Sequence, residues 1–332
     1  MKKIIGILII CLISYSLIFS NGEKEKDGNI KIGVSIMELT AYTWYLGVEY
    51  GCEKWAKDNP DAGFTFQFVD SRSDVSTMLN NIETLITWGA KGIILFPADA
   101  SSAIPVMKQY VSKGIPFVIG DYEQLPKNKD DVVWATFVGH NMRALGEKAG
   151  SVAVDYLKKA NIKDPVCVFV SRPTDGQSSV DRYQGFRDTI RASFPSARVI
   201  EEGDIAAGSR DSSQSLMENV LQREKKIDVV SGHNDAEVLG AYNAAVAANR
   251  KEIKFIGIAG DKDVLAYITN GNKMWLGEIL QNPVDLGYQA TQAMYDVYVL
   301  KKKIPKVWDL PEPETIIPEN IKEYNWQTWP WL

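Results

Sequence analysis

The stretch VVSGHNDAEVLGA, residues 229–241, passes from an apolar run into polar residues and back into an apolar run. The first run has the continuously apolar composition of a strand that is covered on both faces. The second run follows Asp235, a residue type that caps the N-termini of helices. We therefore predict a buried strand that leads into a helix, with His233 and Asn234 where the strand ends.

The same pattern of strand followed by helix occurs along the chain. Between apolar runs of strand length lie segments with helical spacing, such as Met78, Ile82 and Leu85, and Gly89 and Gly114 stand where helices should end. Repeated strand–helix–strand units form parallel sheets through right-handed crossovers. The predicted strands are 30–36, 64–71, 92–97, 116–121, 166–171, 197–203, 228–234, 254–260 and 275–281, with a further strand-like segment at 132–139.

The chain length and the number of strands indicate two domains. The chain has 332 residues, about twice the usual length of a single domain, and its strand series divides into two similar halves. We predict an α/β protein of two doubly wound, Rossmann-like parallel-sheet domains, joined by a three-segment hinge, with the ligand in the interdomain cleft. The N-terminal domain is assigned residues 28–139 and 283–310, and the C-terminal domain is assigned residues 140–281 and 311–332.

The first 22 residues differ from the rest of the chain. Two lysines precede an apolar run at 4–19, and Ser20 and Gly22 occupy the small-residue positions of a cleavage site. The run is shorter than the ~18 apolar residues of a membrane span, and Cys11 lies inside it rather than at its end, where a lipid anchor would need it. We predict that 1–22 is a cleaved signal peptide and that the mature protein is periplasmic.

Composition and charge argue against several classes of partner. A net charge of −5 with 24% charged residues gives no reason to expect nucleic acid or an anionic membrane. Cys52 and Cys167 fall in different predicted domains, and we interpret both as small apolar core residues. His140 and His233 are the two histidines of the chain, and neither has a partner at a metal-ligand spacing. We therefore expect neither a metal site nor a cofactor.

Polar and aromatic side chains stand where several predicted strands end or the following helices begin. Aromatic rings cover the C–H faces of a sugar, a carboxylate accepts from hydroxyls, and a guanidinium donates to them in a fork. Amides both donate and accept, as hydroxyl groups require. Together these groups predict a site for a polyhydroxylated ring. The predicted ligand-binding residues are Trp44, Tyr45, Asp121, Arg182, Asn234 and Gln281.

Some of these candidates have competing interpretations. An aromatic pair at the start of a helix is often part of the core, and Tyr45, Val48 and Cys52 recur on the buried face of the first helix. That stripe leaves Trp44 beside it and nearer the cleft. Asp235 is as well explained as a helix cap as by contact with a ligand.

Four segments in chain order resemble those of a known family. They are GIPFVIGD, VDRYQGFRDTI, GHNDAEVLGAYNAA and EILQNPVDLGYQA. Over essentially the whole mature chain, the sequence resembles periplasmic sugar-binding proteins of the ribose- and galactose-binding class, the type I substrate receptors of ABC sugar importers. The resemblance implies that the aromatic pair stacks on the ligand. It also implies that the polar ligand residues are Asp121, Arg182, Asn234 and Gln281.

The chain departs from the family pattern at several ligand positions. Tyr42 stands where the family often has Asn, Tyr122 where it often has Arg, and Ala259 where it commonly has Asp in a later turn. We therefore keep Tyr42 and Tyr122 as further candidates for ligand contact, together with Asp235 and Asp261. The general frame of a sugar site is retained while the residues that select the ligand have changed.

The resemblance implies an exported, monomeric receptor that delivers a monosaccharide or a similar small molecule to ABC permease subunits. Docking of the loaded form to a chemoreceptor or a sensor kinase is an alternative output. A glycoside-acting enzyme would need a carboxylate pair, for which Asp121 and Asp235 are the candidates, but no nucleophile or metal-hydrolase motif accompanies them. A transcription regulator with this domain pair would carry a helix-turn-helix in place of the export signal. We therefore expect no catalytic residue.

The C-terminal tail EYNWQTWPWL contains Trp326, Trp329 and Trp331. One interpretation is a strap that packs its indole rings on one domain. The other is a role in docking or in gating the ligand.

Overall fold

The computed structural model describes residues 29–40, 43–121, 132–203 and 209–332. The predicted signal peptide and the candidates Tyr42 and Tyr122 lie outside these ranges. The strands of the described residues are β1 (Ile30–Ile36), β2 (Phe64–Asp70), β3 (Gly92–Leu95), β4 (Phe117–Asp121), β5 (Thr136–Gly139), β6 (Val166–Ser171), β7 (Arg198–Gly203), β8 (Val229–Gly232), β9 (Lys254–Ala259), β10 (Trp275–Leu280), β11 (Val307–Asp309) and β12 (Glu314–Ile316).

Helices connect most of these strands. They are α1 (Trp44–Asp58), α2 (Val75–Trp88), α3 (Ala100–Val111), α4 (Met142–Lys159), α5 (Gln177–Ser193), α6 (Arg210–Arg223), α7 (Asp235–Ala247), α8 (Lys262–Thr269) and α9 (Pro283–Tyr298). In the parts of the chain that the structure describes, no helix combines the length and the apolar character that a bilayer crossing requires.

The strands form two six-stranded sheets. The first has the order β11-β5-β4-β3-β1-β2 with parallel pairs throughout, and the second has the order β12-β10-β9-β8-β6-β7, parallel except for β12. Helices α1, α2, α3 and α9 pack with the first sheet to form the N-terminal lobe. Helices α4 to α8 pack with the second sheet to form the C-terminal lobe. The prediction of two doubly wound α/β domains is confirmed.

The chain passes between the two sheets three times. These connections run from β5 to α4, from β10 to α9 and from β11 to β12. The first two connections are in contact, because Nε2 of His140 lies 3.2 Å from the carbonyl oxygen of Asn282. Burial lowers the pKa of His140 to about 4, so its ring is neutral at pH 7.

The predicted strands all form, with small differences at their ends. The strand predicted at 228–234 ends at Gly232, because the Asn234 side chain accepts from the backbone N–H of Ala236 and caps α7. Sequence analysis missed β11 and β12, since each has only three residues, at the edge of a sheet, and neither shows an apolar run. The buried stripe of α1 is as predicted, and Cys52 and Cys167 are fully buried.

Two helices of the N-terminal lobe pack closely enough for their backbones to touch. A Cβ atom on Gly51 of α1 would overlap the carbonyl oxygen of Val284 and lie 2.9 Å from the backbone nitrogen of Tyr288, both on α9. A Cβ on Gly287 of α9 would overlap the carbonyl oxygen of Val48 on α1. Only glycine permits this approach from either side.

We predict that Gly51→Ala destabilises the protein, although alanine is the better helix former by about 1 kcal/mol. The added methyl group must push α1 away from α9, and overpacking of this kind costs about 1–3 kcal/mol. Urea denaturation should therefore show a lower free energy of unfolding for the variant. Lys57→Ala, at an exposed position of the same helix, is the control and should change the free energy by less than about 0.5 kcal/mol. A more stable Gly51→Ala protein would contradict the packing described here.

Candidate functional site

Three of the six predicted ligand residues lie at the carboxyl ends of strands, which is where doubly wound sheets bind ligands. Asp121 is the last residue of β4, Gln281 follows β10, and Asn234 lies two residues beyond β8. Trp44 and Tyr45 open α1, and Arg182 lies in the second turn of α5. The candidates therefore come from both lobes and from one of the connections between them.

Asp121 is a buried carboxylate, with only 7% of its surface exposed. The Tyr45 hydroxyl donates to its Oδ2 atom at 2.5 Å. Burial raises the pKa of Asp121 to about 6, although the Tyr45 hydrogen bond and the charge of Arg182 oppose the shift. Its φ of 91° is unusual for a residue with a side chain, and such conformations cluster at functional sites.

Arg182 is 3% exposed, and other groups fix its guanidinium. Nη1 donates to the carbonyl oxygen of His233, and Nη2 donates to Oε1 of Gln281 at 2.9 Å and lies 3.2 Å from Sδ of Met142. Burial lowers the pKa of Arg182 to about 10, while nearby carboxylates, Asp121 first among them, oppose the shift. The group therefore remains charged at neutral pH, with its Nε unpaired among the described residues.

Trp44 connects the two lobes. Its Nε1 donates to the carbonyl oxygen of Gln281 at 2.9 Å, and its ring meets that of Tyr45 edge to face, with centroids 5.1 Å apart. Tyr45 in turn holds Asp121. The structure thus brings five of the six predicted residues together as one connected set. Asp121 and Arg182 belong to opposite lobes, and the charge of each opposes the pKa shift that burial imposes on the other.

Asn234 is tied to the C-terminal lobe rather than to this set. Its side-chain oxygen accepts from the N–H of Ala236 at 2.9 Å, and its own N–H is 3.2 Å from Oε2 of Glu237, which completes a capping box. Its neighbour His233 supplies the carbonyl oxygen that receives Arg182. The amide nitrogen of Asn234 is the part of the side chain that the cap leaves for a ligand.

Sequence analysis missed the side-chain partner of His233, the residue whose carbonyl oxygen accepts from Arg182. Nε2 of His233 lies 2.9 Å from Oδ2 of Asp175, in the turn before α5. Burial and the nearby charge of Arg182 lower the pKa of His233 to about 4, so the ring is neutral at pH 7. Burial tends to raise the pKa of Asp175, but the His233 hydrogen bond and nearby positive charges outweigh it and lower the pKa. No sequence signal separates Asp175 from an ordinary turn residue.

Asp235 is not the helix cap that its position suggested, since Asn234 fills that role. Its carboxylate accepts from the backbone N–H groups of Ile258, Gly260 and Asp261 at 2.8–3.0 Å. Asp235 therefore braces the turn from β9 to α8, and these contacts favour a structural role over ligand contact.

Asp261 is the N-cap of α8. It accepts from the N–H of Asp263 at 2.8 Å and pairs with Arg210 at 3.1 Å. These contacts occupy its oxygens and likewise favour a structural role.

A second carboxyl group lies beside Asp235 inside the C-terminal lobe. Glu278 of β10 is fully buried, and a Cβ on Gly257 would overlap both its carboxyl group and that of Asp235. Burial raises the pKa of Asp235 to about 6, and burial and the Asp235 charge raise the pKa of Glu278 well above its usual range. The pair therefore holds a proton at pH values at which two exposed carboxyl groups would have lost it. The sequence did contain a sign of this buried carboxyl group, because Glu278 is a charged residue inside the apolar run WLGEILQ.

We predict that Glu278→Gln removes a pH dependence of stability. The folded protein keeps the Glu278 proton at pH values where the unfolded chain has released it, so wild-type stability falls as pH rises through this range. Each unit of raised pKa is worth about 1.4 kcal/mol. Between pH 5 and pH 8, the free energy of unfolding of the variant should therefore rise relative to wild type by at least about that amount. Glu319→Gln, at an exposed position, is the control, and parallel pH profiles for Glu278→Gln and wild type would refute the proton-sharing pair.

A cavity of about 180 Å³ lies between the lobes beside the hinge. It is lined by Phe137, His140, Asn141, Met142, Gln177, Ser178, Asp181, Val307 and Asp309. The described residues contain no group of three or more His, Cys, Asp or Glu side chains arranged to hold a metal ion.

Comparison with known proteins places the chain in a family. The chain is 27% identical to the ribose import binding protein RbsB of Bacillus subtilis, over 88% of each chain. It is 28% identical to a xylitol-binding protein of Mycolicibacterium smegmatis, over 79% of this chain and 70% of the relative. Its fold matches that of an ABC transporter periplasmic solute binding protein from Actinobacillus succinogenes, solved with bound D-allose, with a TM-score of 0.75, 20% identity and coverage of 89% and 99%. Residues 32–303 match the family described as periplasmic binding protein domain, and the chain belongs to that family.

Proposed function

We propose that the protein is the exported substrate-binding receptor of an ABC importer and that it binds a monosaccharide or a similar polyol between its lobes. The observation that carries the proposal is a set of contacts that joins residues of both lobes. The buried Asp121 accepts from Tyr45, and Trp44 and the buried Arg182 both contact Gln281. The names of the relatives, which mention ribose and xylitol, support the same ligand class.

The chemistry of the site suits hydroxyl groups. Asp121 accepts from hydroxyls, while the unpaired Nε of Arg182 and the amide of Asn234 offer donors. Trp44 and Tyr45 present aromatic surface for the C–H faces of a ring. Charge-assisted hydrogen bonds of this kind are each worth about 1.5–3 kcal/mol.

Hinge closure is the proposed signal to the transporter. We assign residues 28–139 and 283–310 to one moving body, and 140–281 and 311–332 to the other. A ligand that touches Asp121 and Arg182 together binds the closed form better than the open form, so it shifts the population toward closure. Gln281, on the second connection, contacts both Trp44 and Arg182, and it couples the ligand site to the hinge.

The proposed partners are the permease subunits of the importer, with a monomeric receptor that reaches the periplasm after loss of residues 1–22. A chemoreceptor or a sensor kinase remains the alternative partner for the closed form. The proposal is binding without catalysis, and the contacts of Asp235 support it. Three backbone N–H groups occupy that carboxylate, so it does not form an acid–base pair with Asp121.

A thermal-shift screen tests the ligand class. D-ribose, D-allose, xylitol and myo-inositol are the probes, with adenosine and glycine as members of other chemical classes. A ligand that binds only the native state adds about 2.7 kcal/mol of stability at one hundred times its Kd, so at least one sugar or polyol should raise Tm. A Tm that rises with adenosine or glycine alone would refute a sugar receptor.

We predict that Arg182→Ala weakens binding of the sugar that gives the largest thermal shift. The loss of one charge-assisted hydrogen bond corresponds to a roughly ten- to hundredfold increase in Kd, measurable by calorimetry. Arg191→Ala, at an exposed position of the same helix, is the matched control and should leave Kd unchanged. Equal affinities for Arg182→Ala and wild type, with both proteins folded, would remove Arg182 from the site.

A further inference from the structure

The C-terminal tail is anchored on the C-terminal lobe. Short 3-10 turns at Ile321–Glu323 and Trp326–Thr328 pack on α8. Nε1 of Trp326 donates to Oγ1 of Thr269 at 3.1 Å, and Ile321 is buried in the core of that lobe. The tail therefore moves with the second sheet.

Trp331, the next-to-last residue, reaches from this anchor to the other lobe. It is 4% exposed and stacks on Trp329, with ring centroids 4.8 Å apart and planes inclined by 25°. A Cβ on Gly47 of α1 would lie 2.5 Å from Cγ of Pro283 on α9 and 3.0 Å from Cε3 of Trp331, so the proline ring and the indole together fill the space that a side chain there would need. On the C-terminal lobe, a Cβ on Gly260 would lie 3.9 Å from Nε1 of Trp331. The indole is thus held between α1 and the turn after β9.

The contact point on α1 lies beside the ligand residues. Gly47 is three residues after Trp44, so the two face the same side of the first turn of the helix. Trp44 itself packs against the core residues of both lobes. Whatever holds Gly47 in place also fixes the position of the aromatic pair relative to Gln281.

We propose that Trp331 is a positioning residue of the ligand site, which holds the first turn of α1 against the C-terminal lobe and so sets Trp44 and Tyr45 in place. The significance of those two aromatics for a ligand rests on the proposed function, but the interlobe contact itself does not. The role belongs to the ring face of Trp331, since its Nε1 has no hydrogen-bond partner among the described residues.

Hydrogen–deuterium exchange without any sugar tests the contact directly. In Trp331→Ala, the amides of the first turns of α1 should exchange roughly tenfold faster, because local opening of that segment costs less free energy. Trp331→Phe keeps an aromatic ring and should restore most of the protection. Gln327→Ala, at an exposed position of the tail, is the control and should match wild type. The amides of β3 and β4 in the same lobe should also match wild type in all three variants.

Two outcomes would overturn the proposal. In the first, exchange accelerates in residues 317–332 of Trp331→Ala and stays unchanged in α1, which would make the tail a strap on one lobe alone. In the second, exchange accelerates uniformly across both sheets, which would indicate a loss of global stability rather than of positioning.

As a second readout, the Kd for D-ribose and for xylitol should rise in Trp331→Ala and recover in Trp331→Phe. Failure of D-ribose, D-allose, xylitol and myo-inositol alike to bind wild type would count against the proposed ligand class and leave the exchange result as the test of Trp331.

Discussion

The geometry of the site depends on one constraint, the burial of two opposite charges, Asp121 and Arg182, that belong to different lobes. Removing ions from water costs several kcal/mol for each, and their attraction repays this only when hydrogen bonds satisfy the remaining atoms. Asp121 accepts from the Tyr45 hydroxyl, and Arg182 donates to the carbonyl oxygen of His233 and to the side-chain oxygen of Gln281. The positions of α1, α5 and the second connection are therefore linked through the solvation of this pair.

The raised pKa of Asp121 and the lowered pKa of Arg182 show that the protein groups do not fully replace water. In both cases burial is the largest cause, and the partner charge offsets only part of it. A ligand rich in hydroxyl groups would supply the missing hydrogen bonds. The same charges that are costly to bury are thereby the ones that favour a polar ligand.

The sequence predicted the sheets and most of the site because apolar runs and their polar ends are local patterns. Parallel strands buried on both faces leave a clear signal, and their carboxyl ends must meet the cleft, which located Asp121 and Gln281. Local patterns could not show that Asn234 rather than Asp235 caps α7, since either residue type caps a helix. The pairing of Asp235 with Glu278 and the contact of Trp331 with α1 depend on distant segments that fold together, and no local pattern records such contacts.

The two thiols of the described residues have a practical consequence. Cys52 and Cys167 are fully buried, and burial raises the pKa of each to about 12. The thiolate is the reactive form of cysteine, so both resist alkylating reagents while the protein is folded. A cysteine placed at an exposed position of either lobe would therefore take a fluorophore selectively in a chain that begins after Cys11. Cys52 and Cys167 would therefore not have to be replaced before the protein is converted into an optical sensor of its ligand.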